Sequence, residues 1–205
     1  SKVTVDAGKG NDTIKNLGDK VTIDGGKDND VIENSGSKVT IDGGKDNDYI
    51  YNDGSNVSIN GGAGNDTIRN WGNKVSILGG AGDDELSGGE GHDKLYGDEG
   101  NDYIEGYAGN DSIWGDKGND TLFGDDDSDV FFYAKGDGKD TIVGFDDNDT
   151  LTLDNLNFKA SYNKKNKSIA LTFDDGSITL KNFTATTFHI NNDTYKISGS
   201  KFKKQ

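Results

Sequence analysis

The sequence predicts an all-β fold made by repetition. Three observations carry this. Residues 7–132 divide, without insertion or deletion, into 14 units of nine residues in one register. The first six positions of each unit are rich in the turn formers Gly, Asn and Asp, and the last three read as a short strand. Position 8 is apolar throughout, as in Ile14, Ile32, Ile50, Ile68, Leu86, Leu95, Ile104, Ile113 and Leu122. Side chains alternate along a strand, so positions 6 and 8 share one face, and position 8 should point inward.

Residues 25–33 read Gly-Gly-Lys-Asp-Asn-Asp-Val-Ile-Glu, 61–69 read Gly-Gly-Ala-Gly-Asn-Asp-Thr-Ile-Arg, and 115–123 read Gly-Asp-Lys-Gly-Asn-Asp-Thr-Leu-Phe. This pattern resembles the RTX (repeats-in-toxin) family, whose Gly-Gly-x-Gly-x-Asp-x-apolar-x repeat folds as a calcium-loaded parallel β-roll. The resemblance implies a two-sided, right-handed β-solenoid with two repeats per coil. In that family each ion lies between two stacked turns, bound by an Asp from each turn and by main-chain carbonyls of the glycine-rich loops.

Carboxylate and carbonyl oxygens are the hard ligands that calcium prefers. The position-6 candidates on one side of the roll are Asp12, Asp30, Asp48, Asp66, Asp84, Asp102 and Asp120. The loop candidates there are Gly8 and Gly10, Gly25 and Gly26, then Gly43 and Gly44. They continue as Gly61, Gly62 and Gly64, then Gly79, Gly80 and Gly82, Gly97 and Gly100, and Gly115 and Gly118. Asp28 and Asp46 replace glycine at position 4. Aspartate tolerates left-handed backbone better than most residues, so these turns should survive.

On the other side, residues 16–24, 34–42, 52–60 and 70–78 lack the metal signature. Val21, Val39, Val57 and Val75 occupy position 6, and Asn16, Asn34, Asn52 and Asn70 occupy position 1. Inward valines extend a dry core, and the asparagines should stack as an amide ladder. From residue 79 the second side changes and gains Asp93, Asp111 and Asp129, with loop glycines Gly88, Gly89, Gly91, Gly106 and Gly109. Adjacent pairs then give about eight calcium ions, six on the first side and two on the second. Residues 135–143 restart the pattern after a two-residue slip, and Asp120 with Asp140 forms a candidate ninth site.

The roll is therefore expected over 1–143 and a small β-rich cap over 144–205. Runs at 150–154, 168–173, 177–181, 187–191 and 194–197 alternate as strands and read as antiparallel. Asp174-Asp175-Gly176-Ser177 and Asn192-Asp193 read as hairpin turns. The resemblance also implies an uncleaved type I secretion signal near the C terminus. The chain opens on Lys2-Val3-Thr4-Val5-Asp6, which matches Lys20–Asp24, so it is read as part of a longer protein.

Composition narrows the function classes. The chain has 205 residues, no Cys, no Pro, no Met, 30% hydrophobic residues and a net charge of −15. The acidity argues against nucleic acid, and no apolar run is long enough to span a membrane. His92 and His189 have no catalytic partners in the sequence, so any enzymatic activity is expected in an N-terminal part outside this chain. Without metal the stacked carboxylates would repel, so the apo roll should be unstable. The expected product is a monomeric calcium-binding module that leaves through a type I secretion apparatus and folds outside the cell.

The alternative reading is a carbohydrate-binding or adhesin module with a polysaccharide partner. Tyr96, Trp114 and Phe132 occupy position 9 of every second repeat and should form an outward aromatic ladder. Such a ladder either stacks sugar rings or lies under the cap.

Overall fold

The computed structural model describes residues 3–154, 157–183, 187–191, 193–198 and 201–205. Two sheets run side by side, and the chain alternates between them every half coil. One begins with Val3–Lys9, Val21–Lys27, Thr40–Lys45, Ser58–Ala63 and Ser76–Ala81. The other begins with Thr13–Asn16, Val31–Asn34, Tyr49–Asn52 and Thr67–Asn70. Neighbours are parallel and offset by two repeats, as in Ile23 opposite Ile41 and Ile32 opposite Ile50. In the first half of the roll the strands exceed the three residues expected. Val21–Lys27 runs on through Gly25 and Gly26, because Gly26 and Lys27 also pair in register with the next coil.

The core is a stack of position-8 side chains. Ile32, Ile50, Ile68 and Ile104 are fully buried from one sheet, and Ile23, Ile77, Leu95 and Ile113 from the other. Val39, Val57 and Val75 are buried beside them, as expected for inward position-6 residues. Toward the C terminus the filling becomes aromatic. Phe131, Phe145, Phe183 and Phe188 form a continuous chain of ring contacts with centroids 5.7–6.4 Å apart.

The two-residue slip is absorbed without a break. Thr121 pairs with Thr141 and Val130 with Thr150, so the register simply lengthens for one coil. The strands beyond residue 143 correct the antiparallel expectation. Thr150–Leu153, Ser177–Lys181 and Thr187–Ile190 add to the roll in parallel. Among the described residues the antiparallel pairs are Lys159–Asn163 with Ser168–Thr172, its hairpin to Ser177–Lys181, and the three strands from Thr187 onward. A short hairpin joins antiparallel neighbours, whereas parallel neighbours need a longer crossover. On one sheet that hairpin is the turn at Asp174–Gly176, which joins strands paired through Thr172 and Ser177. The Asn192 half of the second expected turn lies outside the described residues.

Candidate metal centre

The position-6 aspartates from Asp30 onward are buried although they are carboxylates. Asp30, Asp66, Asp111, Asp120 and Asp129 are each 1% exposed. From Asp30 onward one oxygen of each has a partner. The main-chain N–H of Asp12 donates to Oδ1 of Asp30 at 2.7 Å, and Asp30, Asp48 and Asp66 repeat the bond to the next coil. Asp84 and Asp102 continue this column, which ends with Asp120 donating to Asp140 at 3.1 Å. On the second side Val75 donates to Asp93, Asp93 to Asp111 and Asp111 to Asp129.

The other oxygen has none. Oδ2 of Asp12, Asp30, Asp48, Asp66, Asp84, Asp93, Asp102, Asp111, Asp120 and Asp129 is buried and accepts no hydrogen bond. A buried carboxylate oxygen without a partner is costly, so a ligand is the expected occupant. The glycines at position 1 mark the space it faces. A Cβ on Gly25 would lie 2.7 Å from Oδ2 of Asp30 and 2.5 Å from the Gly43 carbonyl oxygen. On Gly43 the same point is 2.6 Å from both Oδ2 of Asp48 and the Gly61 carbonyl. On Gly106 it is 2.7 Å from Oδ2 of Asp111 and 2.9 Å from the Gly124 carbonyl. Carboxylate and carbonyl oxygens thus converge from successive coils at distances on the order of a calcium–oxygen bond. Among the described residues no three His, Cys, Asp or Glu side chains converge on a metal by themselves. The donor set instead combines stacked single carboxylates with main-chain carbonyls, and it fits calcium better than a transition metal.

The predicted glycines divide into two roles. Those at position 1, such as Gly25, Gly61, Gly79, Gly97 and Gly115, border the carboxylates. Those at positions 2 and 4 permit close stacking of coils. A Cβ on Gly26 would strike the Gly8 carbonyl, and one on Gly64 the main chain of Asp46, and both residues have positive φ. The aspartates at position 4 hold left-handed backbone, with φ 73° at Asp28 and 72° at Asp46. Their side chains accept from the coil before: Gly10 donates to Asp28 at 3.0 Å and Asp28 to Asp46 at 3.2 Å.

The turns that carry valine at position 6 are built differently. Asn34 Nδ2 donates to Asn52 Oδ1 at 2.6 Å, and Asn16 to Asn34 and Asn52 to Asn70 do the same. Each amide also bonds the glycine two residues ahead in its own turn, as Asn52 does with both N–H and C=O of Gly54. The ladder ends where Asn70 donates to the Gly88 carbonyl, the first glycine of the metal-type turns on that side.

Burial raises the carboxyl pKa of the column aspartates from Asp48 onward. It pushes Asp48, Asp84 and Asp111 up to about 7, with neighbouring carboxylates adding to the effect. Asp93 and Asp102 rise to about 6 for the same first cause, and Asp120 and Asp140 also rise.

Two sets of residues escaped the sequence reading. Asp149 is the next rung of the second side, and its Oδ1 accepts from the Asp129 N–H at 3.0 Å. Its signal was present, since residues 144–152 carry Gly144 at position 1, Asp149 at 6 and Leu151 at 8. Position 5 forms a second amide ladder, in which Asn29 donates to Asn11, Asn47 to Asn29 and Asn65 to Asn47 through main-chain N–H groups.

Tyr96, Trp114 and Phe132 do form a ladder. Their ring centroids are 4.3 and 4.1 Å apart, with planes inclined by 13° and 5°. The rings lie face to face on one another, so the ladder offers ring edges outward rather than a broad face for a sugar.

The model of the RTX calcium-binding nonapeptide repeat (4 copies) matches residues 38–56, 53–72, 76–104, 96–131 and 136–157, more than half of the chain. No curated protein sequence matches. Among solved structures the chain is similar to the extracellular lipase LipA of Serratia marcescens, with 17% identity and a TM-score of 0.43. That match covers 82% of this chain, which spans 40% of the lipase. It is also similar to the AlgE6R3 subunit of the Azotobacter vinelandii mannuronan C5-epimerase, with 20% identity and a TM-score of 0.26. That match covers 53% of this chain and 71% of the subunit. With its repeats matched and its stacked carboxylates facing glycine carbonyls, the chain belongs to the RTX calcium-binding nonapeptide-repeat family.

Proposed function

We propose that the chain is a calcium-folded module of a secreted protein, holding ten ions, seven on one side and three on the other. The ten unpartnered Oδ2 atoms carry this reading. Each belongs to an aspartate that has a further aspartate one coil ahead. The last of each column, Asp140 and Asp149, have none ahead and carry no such oxygen. This count adds Asp120/Asp140 and Asp129/Asp149 to the eight pairs legible from the regular spacing.

Calcium supplies positive charge between carboxylates that otherwise repel one another, so binding energy becomes folding energy. Extracellular-type sites of about 10⁻⁴–10⁻³ M stay empty at cytosolic calcium. The chain would travel unfolded through a type I secretion apparatus and fold as a monomer outside. No helix in the described residues is long and apolar enough to cross a membrane. Any catalysis would belong to other parts of the parent protein.

The test is calcium titration followed by circular dichroism, with bound metal counted by native mass spectrometry. Cooperative gain of β-structure with ten ions is expected. Full β-structure in chelator at pH 7.5, or saturation at six ions, would overturn the reading.

A further inference from the structure

The metal-free edge carries a groove of about 460 Å³ that the calcium sites do not use. One wall is the position-5 column Lys38, Asn56, Lys74 and His92. The other is the position-7 column Thr40, Ser58, Ser76 and Lys94. Both walls therefore present hydrogen-bond donors on every rung, and no carboxylate lines the groove. This is notable in a chain with 37 acidic residues against 22 Lys and Arg. Lys38, Lys74 and Lys94 form no salt bridge among the described residues. The Asn110 N–H donates to Nδ1 of His92 at 2.8 Å, which leaves Nε2 to carry the proton of the neutral ring.

We propose that this groove binds an extended acidic polysaccharide, its carboxylates on the lysines and its hydroxyls on the Ser, Thr and Asn rungs. Lys38 and Lys74 lie two rungs apart, about 10 Å by sheet spacing. That is close to the disaccharide repeat of an extended chain bearing one carboxylate on alternate sugars. Duplex DNA, with a charge every ~1.7 Å, is far denser than this rail. The groove lining also contains no Phe, Tyr or Trp on which a base could stack.

Calcium decides whether a polyanion can approach. The chain carries −15, and ten calcium ions add +20, which leaves about +5. The loaded roll thus attracts polyanions that the bare chain repels. This part of the inference rests on the ten-ion reading above.

The experiment titrates the calcium-saturated full chain with a hyaluronan decasaccharide at low salt, by calorimetry, after counting bound calcium on the same sample. Saturable binding that weakens with salt is expected. The double variant Lys38→Asn/Lys74→Asn, which copies Asn56 and keeps the left-handed turn, should bind about fivefold to tenfold more weakly. Its calcium count and melting temperature should be unchanged. Equal affinity of wild type and variant overturns the groove assignment. So does equal affinity for a neutral maltodextrin, for free glucuronate or for a DNA duplex. Ten ions without hyaluronan binding refutes the groove alone. A count that leaves the net charge negative refutes the ten-ion reading and its charge reversal, whatever the groove binds.

Discussion

The main-chain N–H of Asp129 donates to Oδ1 of Asp149 at 3.0 Å across twenty residues, the same contact that Asp111 makes with Asp129 across eighteen. The two extra residues lie between Phe132 and Gly138, since Phe132 still pairs with Trp114 while Gly138 bridges to Gly118. They leave the stacking of carboxylates intact. There Tyr133 turns its hydroxyl onto the Gly138 carbonyl at 2.7 Å, and Asp137 accepts from Ala134.

Asp149→Asn should therefore remove one ion next to the cap and leave the rest. Native mass spectrometry should count one calcium fewer than wild type, with β-structure retained at high calcium. An unchanged count would show that the Asp129/Asp149 rung holds no metal.

Asp111→Ala should raise the calcium midpoint of folding much more than Asp12→Ala. Asp111 is shared by the Asp93/Asp111 and Asp111/Asp129 rungs, whereas Asp12 serves only one terminal rung. Circular dichroism of both variants during calcium titration gives the comparison. Equal shifts would contradict shared rungs near the cap.

Acid should have opposite effects with and without metal. The folded-state pKa values of Asp48, Asp84 and Asp111 lie near 7, above the ordinary 3.8. Without metal, the stability linked to these groups is fully present below about pH 3.8 and is lost as pH rises through about 7. In chelator the roll should thus gain β-structure on acidification from pH 8 to pH 4. With calcium present, protons compete with the ion, so the calcium midpoint should rise as pH falls below 7. A calcium midpoint independent of pH between 5 and 8 would contradict burial of the carboxylates as the cause.

Val57→Asp should destabilise without adding a site. Val57 is 3% exposed and packed in the core. Its turn, Asn52-Asp53-Gly54-Ser55, is held by the amide ladder and offers one glycine. An unpaired carboxylate there costs several kcal/mol, whereas Val57→Ile should cost roughly 1–3 kcal/mol at most. Thermal melting and calorimetric calcium counting separate the cases. An added ion, or wild-type stability in Val57→Asp, would refute the metal-free side.

Asn52→Ala should cost about 2–4 kcal/mol with no change in calcium count, because Asn52 makes four hydrogen bonds inside the buried ladder. Chemical denaturation at saturating calcium measures it, and a neutral effect would show that the amide ladder contributes nothing.

By itself the sequence determined the two-repeat coil, the inward Ile and Leu stack, the two carboxylate columns and the opposite stretch of inward valines and stacked asparagines. All of these recur at fixed spacing, and a strand's alternation converts spacing directly into a face. Only the tertiary structure decided what depends on contacts between coils. The Asp129/Asp149 rung was missed because residues 144–152 read as the start of the cap, whereas the sheet register carries the roll through them. Thr150–Leu153 and Ser177–Lys181 look like ordinary alternating strands, and alternation is the same in both directions, so only their pairing shows that they run parallel. The position-5 asparagines read as spacers until stacked main-chain N–H groups supply their partners. Rings in every second repeat at Tyr96, Trp114 and Phe132 read as a sugar platform or a patch under the cap, and at the close spacing of stacked coils they cover one another's faces.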